Sequence, residues 1–155
     1  MYRRTIITTA ASAVLALGVS AAPAADTTNM RCTFEITAQN PPRSPSGTHF
    51  GHADCLAPLG KGVQFNSYSV TPASPTTGAI TGTFKNYYNR GTTKGTFQMN
   101  FAASSPTEIT YTGTVRVRSG TGVFRRVRGA GTIACTTTDG GAHKTCDVST
   151  TLRGL

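Results

Sequence analysis

The feature that most constrains the fold is a two-residue alternation of apolar and polar side chains along most of the chain. Cys32, Phe34 and Ile36, for example, fall on one face of an extended segment. Thr, Gln, Asn and Arg occupy the opposite faces of such segments, and no run of a dozen residues after the N-terminal segment carries the apolar stripe of an amphipathic helix. The sequence therefore predicts an all-β protein.

The alternation predicts seven strands, each bounded by turn residues, at residues 31–38, 62–71, 79–88, 94–102, 108–119, 129–138 and 143–153. The proline-rich segments 40–47 and 72–78 are predicted to be surface loops. Glycine recurs inside the strands, as in Gly113 and Gly131, which is typical of the bends in a tightly coiled barrel. We therefore expect a single antiparallel barrel of about eight strands, with a β-sandwich as the alternative.

Four cysteines follow the N-terminal segment, and their spacing contains no Cys-x-x-Cys pair, so two disulfides are favoured over a zinc site. A hairpin turning at residues 139–141 sets Cys135 opposite Cys146 and Ile133 opposite Val148 in one register. This register predicts the pair Cys135–Cys146 and, by elimination, Cys32–Cys55. A crossed pairing is the alternative, because four cysteines allow three connectivities.

Residues 1–24 have the design of a secretory signal peptide. Arg3 and Arg4 precede a weakly polar to apolar run that ends in Ala22-Pro23-Ala24, and that run is too short and too rich in Thr and Ala for a stable membrane span. We predict cleavage after Ala24, a single barrel domain at residues 25–155, and secretion to the periplasm or the exterior. The general secretory route is preferred to the twin-arginine route.

The charge is strongly basic, with 15 Lys and Arg against 6 Asp and Glu, a formal net charge of +9. Such a balance serves solubility or attracts anionic partners. Arg116 and Arg118 share one strand face, and Arg125, Arg126 and Arg128 follow nearby in the sequence. These arginines are the candidate anion-binding residues. No aromatic side chains interleave with them, so an anionic polysaccharide or an acidic small molecule is favoured over nucleic acid.

The segment 120–131 reads Gly-Thr-Gly-Val-Phe-Arg-Arg-Val-Arg-Gly-Ala-Gly. It resembles the Gly-Thr-Gly-x-Phe-Arg-x-x-Arg-Gly corner of dirigent proteins and, more loosely, that of the related allene oxide cyclases. The resemblance implies an eight-stranded calycin-like barrel around an apolar cavity, in which members steer radical coupling or cyclise reactive intermediates without a cofactor. Independently of the resemblance, the glycines allow a tight turn, and we expect Phe124 and Val127 to plug one barrel end.

Several side chains are candidates to line the lumen. The predicted ligand-binding residues are Tyr68, Phe97, Met99 and Tyr111, of which Tyr111 lies in register with core positions. For catalysis we single out Glu35, Tyr111 and Arg116. A carboxylate at Glu35 that projects into the lumen would move protons, whereas the alternative is an outward glutamate paired with an arginine. Arg116 would steady negative charge on an intermediate.

The segment around His49, His52 and Asp54 is the one grouping of potential metal ligands near an N-terminal strand edge. Residues 52 and 54 share one strand face while residue 49 lies on the other, so the three do not converge. We predict a solvated loop there, no metal site and no cofactor.

Three functions are compatible with these features. The first is binding of a small apolar or aromatic molecule in the barrel lumen. The second is a cofactor-free cyclase or isomerase, or dirigent-like stereocontrol, in the same cavity. The third is binding of anionic polymers at the arginine surface. A homo-oligomer is compatible with all three.

Overall fold

The computed structural model describes residues 26–155, so the predicted signal peptide lies outside the described residues. The strands are Thr27–Ala38 (β1), Ser46–Cys55 (β2), Lys61–Pro72 (β3), Thr77–Tyr88 (β4), Gly91–Ala103 (β5), Ile109–Gly120 (β6), Arg128–Thr137 (β7) and His143–Arg153 (β8). Consecutive strands pair antiparallel and β8 pairs with β1, so the sheet closes without a free edge. This confirms the all-β barrel and excludes the sandwich.

Strand β2 is the element that the sequence does not predict, since the prediction treats its central residues as a solvated loop. Its inward positions carry His49, Gly51 and Ala53, while the aromatic side chain of Phe50 faces outward and is 47% exposed. The usual apolar-inside pattern is therefore inverted at His49 and Phe50. The pairing of β2 with β1 and β3, rather than its own alternation, decides its conformation.

Both predicted disulfides are present, which excludes the crossed pairing. Cys32–Cys55 joins β1 to β2, and Cys135–Cys146 joins β7 to β8. The register of the last hairpin also places Ile133 opposite Val148, as predicted. All four sulfur-bearing side chains are buried, so the cross-links lie on the inner face of the barrel wall.

Glycines in the strands allow the barrel wall to coil tightly. A Cβ atom on Gly113 would collide with the carbonyl oxygen of Gln98, and one on Gly131 would collide with the carbonyl oxygen of Ser149. The close backbone approach that these positions require is the role predicted for glycine within the strands.

One end of the barrel is packed shut by the connection between β6 and β7. A short 3₁₀ helix, Gly122–Phe124, begins this connection and buries Phe124, which is 1% exposed. Phe124 meets Tyr88 edge to face with 5.9 Å between ring centroids, and Val127 is fully buried beside it. The predicted plug is therefore confirmed.

The two disulfides indicate a non-cytoplasmic, oxidising compartment, as predicted from the cysteine count. Within residues 26–155, no helix has the length and apolar character needed to cross a membrane.

Candidate ligand-binding site at the open end of the barrel

The barrel interior contains two adjoining spaces. The inner cavity, of about 60 Å³, lies within the barrel and is lined by the disulfide residues Cys32, Cys135 and Cys146 and, toward the packed end, by Tyr88 and Leu152. The mouth cavity, of about 280 Å³, lies at the opposite end, among the loops β1–β2, β3–β4, β5–β6 and β7–β8. His49, Ile80, Tyr111 and Lys144 line both spaces and form the neck between them. The lumen is thus mostly filled by side chains, and the space for a ligand is at the mouth.

The wall of the mouth cavity is mainly apolar. Val70, Ile80, Phe101 and Ile109 project into it from four strands or strand ends, and the prolines of the segment 41–45 cover one side. Small-molecule sites commonly combine such apolar walls with a few placed polar groups. The polar groups here are concentrated at the neck.

A buried hydrogen-bonded chain crosses the neck from β8 to β3. The Lys144 ammonium lies 2.9 Å from His49 Nε2 and donates to the carbonyl oxygen of Gly141 at 2.6 Å. His49 Nδ1 lies 2.9 Å from Asn66 Oδ1. Because the amide oxygen only accepts, Nδ1 carries the proton and Nε2 accepts from Lys144. His49 is therefore neutral, and Lys144 carries the charge of the chain.

Burial is the main reason why the pKa values of His49 and Lys144 are both lowered, and neighbouring charges modify each shift. Desolvation first, and then the charge of Lys144, lower the pKa of His49 to about 4 against the opposing hydrogen bond to Asn66. Desolvation lowers the pKa of Lys144 to about 8, partly offset by the charge of Asp139. Near neutral pH the amine is therefore mostly protonated and the imidazole is not.

Aromatic side chains surround the charged group. Tyr68 stacks on His49 with 4.5 Å between ring centroids and 15° between planes. The Lys144 ammonium lies 5.6 Å from the ring centroid of Tyr111. Desolvation first, then Tyr68 and Asp139, raise the pKa of Tyr111 to about 12, so the phenol keeps its proton. The phenol can therefore donate a hydrogen bond into the cavity.

Asp139 shapes the β7–β8 loop rather than the cavity. Its carboxylate accepts from the Thr137 hydroxyl at 2.7 Å and from the backbone N–H of His143 at 3.0 Å. These hydrogen bonds hold the pKa of Asp139 well below its usual range. The loop so fixed presents the Gly141 carbonyl to Lys144.

Deeper in the lumen, Asn86 and Tyr88 form a second polar group. Asn86 Nδ2 donates to the Tyr88 hydroxyl at 3.2 Å. Among the buried side-chain nitrogen and oxygen atoms of residues 26–155, Asn86 Oδ1 is the one that lacks a hydrogen-bond partner. The inner cavity that it lines has room for roughly two water molecules, at about 30 Å³ each.

The predicted ligand-binding residues all line the lumen. Tyr68 and Tyr111 reach the mouth cavity, while Phe97 and Met99 line the inner cavity. The predicted catalytic residues are not brought together. Tyr111 is buried in the lumen, whereas Glu35 is exposed on the outer face of β1 and Arg116 on the outer face of β6. The interpretation of Glu35 as a lumen carboxylate is corrected, because its place in the alternation is outward.

Lys144 is not among the predicted site residues, and the prediction that His49 lies in a solvated loop is wrong, because its side chain is buried at the neck. A signal for Lys144 is present, since it alternates with Cys146 and Val148 on the inward face of β8. In β2, His49 faces inward and His52 and Asp54 face outward, the alternation from which we inferred that the three do not converge. Among residues 26–155, no three potential ligands are grouped in a way that could hold a metal ion.

The predicted anion-binding arginines divide into two sets. Arg116, Arg118 and Arg128 line a shallow depression on the outer face of β6–β8, together with Arg153, and we call these four residues the arginine groove. Arg125 and Arg126 are exposed on the corner outside this groove. Within the part of the chain that the structure describes, no Asp or Glu lines the groove.

No protein-family model matches the chain, and no curated protein matches it. Among solved structures, pyocyanin demethylase is similar at a TM-score of 0.45 and 9% identity, over 81% of this chain and 99% of that chain. A similarity of this size supports no argument about function. The resemblance to dirigent proteins and allene oxide cyclases rests on the corner sequence and a compatible order of strands, and no family model supports it.

Proposed function

We propose that this protein binds a small apolar or aromatic molecule in the mouth cavity of its barrel. The observation that carries the proposal is the combination of about 280 Å³ of space, apolar walls and a fixed polar neck. Tyr68 and Tyr111 contact the ligand, while Phe97 and Met99 pack beneath the neck and give it a rigid floor. The dirigent-like corner agrees with the use of a barrel interior, but it does not identify the ligand.

The proposal is tested by filling the mouth cavity with one large side chain. Ala103 lines the mouth cavity, whereas its neighbour Ala102 faces outward. We expect N-phenyl-1-naphthylamine, a neutral fluorescent probe, to bind the wild-type protein and the Ala102→Trp variant saturably. In Ala103→Trp, where the indole occupies the mouth, affinity should fall at least about ten-fold, a difference of about 1.4 kcal/mol. Equal titrations of the two variants would contradict binding in the mouth.

The enzymatic alternative uses the same cavity for cyclisation or isomerisation without a cofactor. Of its three predicted catalytic residues, only Tyr111 is in the lumen. Lys144 and His49 are the titratable groups at the neck beside Tyr111. Because Glu35 and Arg116 are outside, binding explains the arrangement with fewer assumptions than catalysis.

The arginine groove favours a second function, the binding of an anionic polysaccharide to the outer wall. Within the described residues, none of the four groove arginines has an acidic partner within 4.0 Å, so their charge is available to an external anion. A neighbouring depression shares Arg116 and Arg118 and is otherwise lined largely by Ser, Thr and Gln side chains. Hydroxyl and amide groups beside cations suit a hydroxyl-rich anionic polymer.

We expect Arg116→Gln combined with Arg118→Gln to weaken retention on a heparin matrix by roughly two- to thirty-fold in affinity, at about 0.2–1 kcal/mol per exposed ion pair. The matched control is Arg125→Gln combined with Arg126→Gln, which removes the same charge outside the groove. Elution of both variants at one salt concentration would show that net charge, and not the groove, retains the protein.

A further inference from the structure

Lys144 is a buried cation without an anionic partner. The residue is 8% exposed, and its ammonium contacts the His49 imidazole and the Gly141 carbonyl, both of which are neutral. In the part of the chain that the structure describes, the ion pairs are Lys61–Asp54 and His143–Asp139, so Lys144 belongs to none. Buried charges are seldom left without a counter-ion, because removing them from water is costly.

Within residues 26–155, the cavity walls around Lys144 provide no negative charge to balance its ammonium group. Among the described residues that line the mouth cavity, Lys144 and Arg43 are the cations, and none is Asp or Glu. Arg43 lies at the rim, where its guanidinium donates to the Pro106 carbonyl at 3.0 Å. Asp139 is close enough to influence Lys144, but its oxygens are engaged by Thr137 and His143. The cavity therefore has a positive neck, a positive rim and apolar walls.

The ammonium also retains hydrogen-bonding capacity. Of its three protons, one is directed to His49 and one to Gly141, which leaves one for a further acceptor. Lys144 lines both the mouth cavity and the inner cavity, so this acceptor can approach it from the mouth. One cation with one remaining proton matches a monoanion better than a phosphate, which usually takes several donors.

We infer that the ligand of the mouth cavity is a small amphiphilic carboxylic acid, whose carboxylate pairs with Lys144 and whose apolar body lies against Val70, Phe101 and Ile109. The inference rests on the proposed binding function and specifies its ligand class. The mouth holds roughly nine groups of water size, at about 30 Å³ each, which suits an aromatic or short aliphatic monocarboxylic acid. The Tyr111 hydroxyl, which keeps its proton, is a second donor at the neck.

The test compares acids with neutral molecules of the same shape. Octanoate is titrated against octan-1-ol, and trans-cinnamate against cinnamamide, by calorimetry at pH 6.5, where the amine is protonated. We expect each acid to bind at least about ten-fold more tightly than its neutral counterpart. In Lys144→Met, which keeps the length of the side chain, this preference should disappear, so that each acid binds no more tightly than its neutral counterpart. Lys94→Met, an exposed site on β5, is the matched control and should retain the preference.

The outcomes separate this inference from the proposed function. If the neutral probe N-phenyl-1-naphthylamine binds in the mouth but acids bind no better than their neutral counterparts, the acid inference is wrong and the binding function stands. If the preference for acids persists in Lys144→Met, the anion is received elsewhere and the inference is equally wrong. If neither the probe nor any of the four test molecules binds, both fail. Retention of the neutral probe by Lys144→Met shows that the mouth of the variant is folded.

Discussion

Truncating Phe124 to alanine is expected to lower the free energy of unfolding by about 3–5 kcal/mol, the usual cost of emptying a fully buried phenylalanine site. The side chain is 1% exposed and packs on Tyr88 at the closed end of the barrel. Its backbone is held by hydrogen bonds to Thr121 and Val127, so the turn cannot easily collapse into the space. Urea unfolding followed by far-ultraviolet circular dichroism measures the loss.

The neighbouring residue of the same 3₁₀ helix provides the control. Val123 is 46% exposed, so Val123→Ala should change the free energy of unfolding by no more than about 0.5 kcal/mol. A loss below about 1 kcal/mol in Phe124→Ala would mean that the packed end does not depend on this ring. The mouth lies at the opposite end, so probe binding by the folded fraction should be unchanged.

Acid is expected to destabilise the barrel through His49. Its pKa is about 4 in the folded protein against 6.5 in an unfolded chain, so between these values the unfolded state binds a proton that the folded state does not. The free energy of unfolding should therefore rise with pH from about 4 to 6.5. The full shift corresponds to up to roughly 3 kcal/mol, at about 1.36 kcal/mol for each pKa unit. Urea titrations at a series of pH values measure it.

The contribution of His49 is isolated by two glutamine variants. His49→Gln should remove most of the rise, whereas His52→Gln, on the outer face of the same strand, should keep it. Asp139 also contributes to destabilisation in acid, because its folded pKa is lowered and protonation of its carboxylate weakens the hydrogen bonds that it accepts. Both variants retain Asp139, so its contribution is the same in each. Identical pH profiles for the two variants would show that the buried imidazole is not responsible.

The sequence predicts most of the fold because strand alternation and cysteine register are local properties. Phe97, Met99 and Tyr111 point inward as their positions in the alternation require. The side chains of β2 alternate in the same way, but there the apolar-inside pattern fails, because Phe50 faces outward and His49, which accepts from Lys144 at the neck, faces inward. Departures from the apolar-inside pattern mark the candidate site.

The site itself is only partly predictable, because its chemistry depends on residues that are distant in sequence. The alternation in β8 places Lys144 inward, but nothing in the sequence shows that His49, 95 residues earlier, accepts from it. For Glu35 and Arg116, the same parity argument gives the outward positions that the structure has. Alternation alone is therefore sufficient to place Glu35 and Arg116 on the outer face of their strands. Deciding which inward side chains form a site requires the three-dimensional structure of the barrel.

The placement of the disulfides has a consequence for the order of events during folding. Each disulfide lies within a hairpin of consecutive strands, and neither joins β1 to β8, the pair that closes the barrel. Closure brings together segments from opposite ends of the chain, the kind of long-range pairing that slows folding. The disulfides can form before the barrel closes, because each joins neighbouring strands of one hairpin. The two hairpins can be cross-linked as soon as each forms in an oxidising compartment, and they then meet with their registers already fixed.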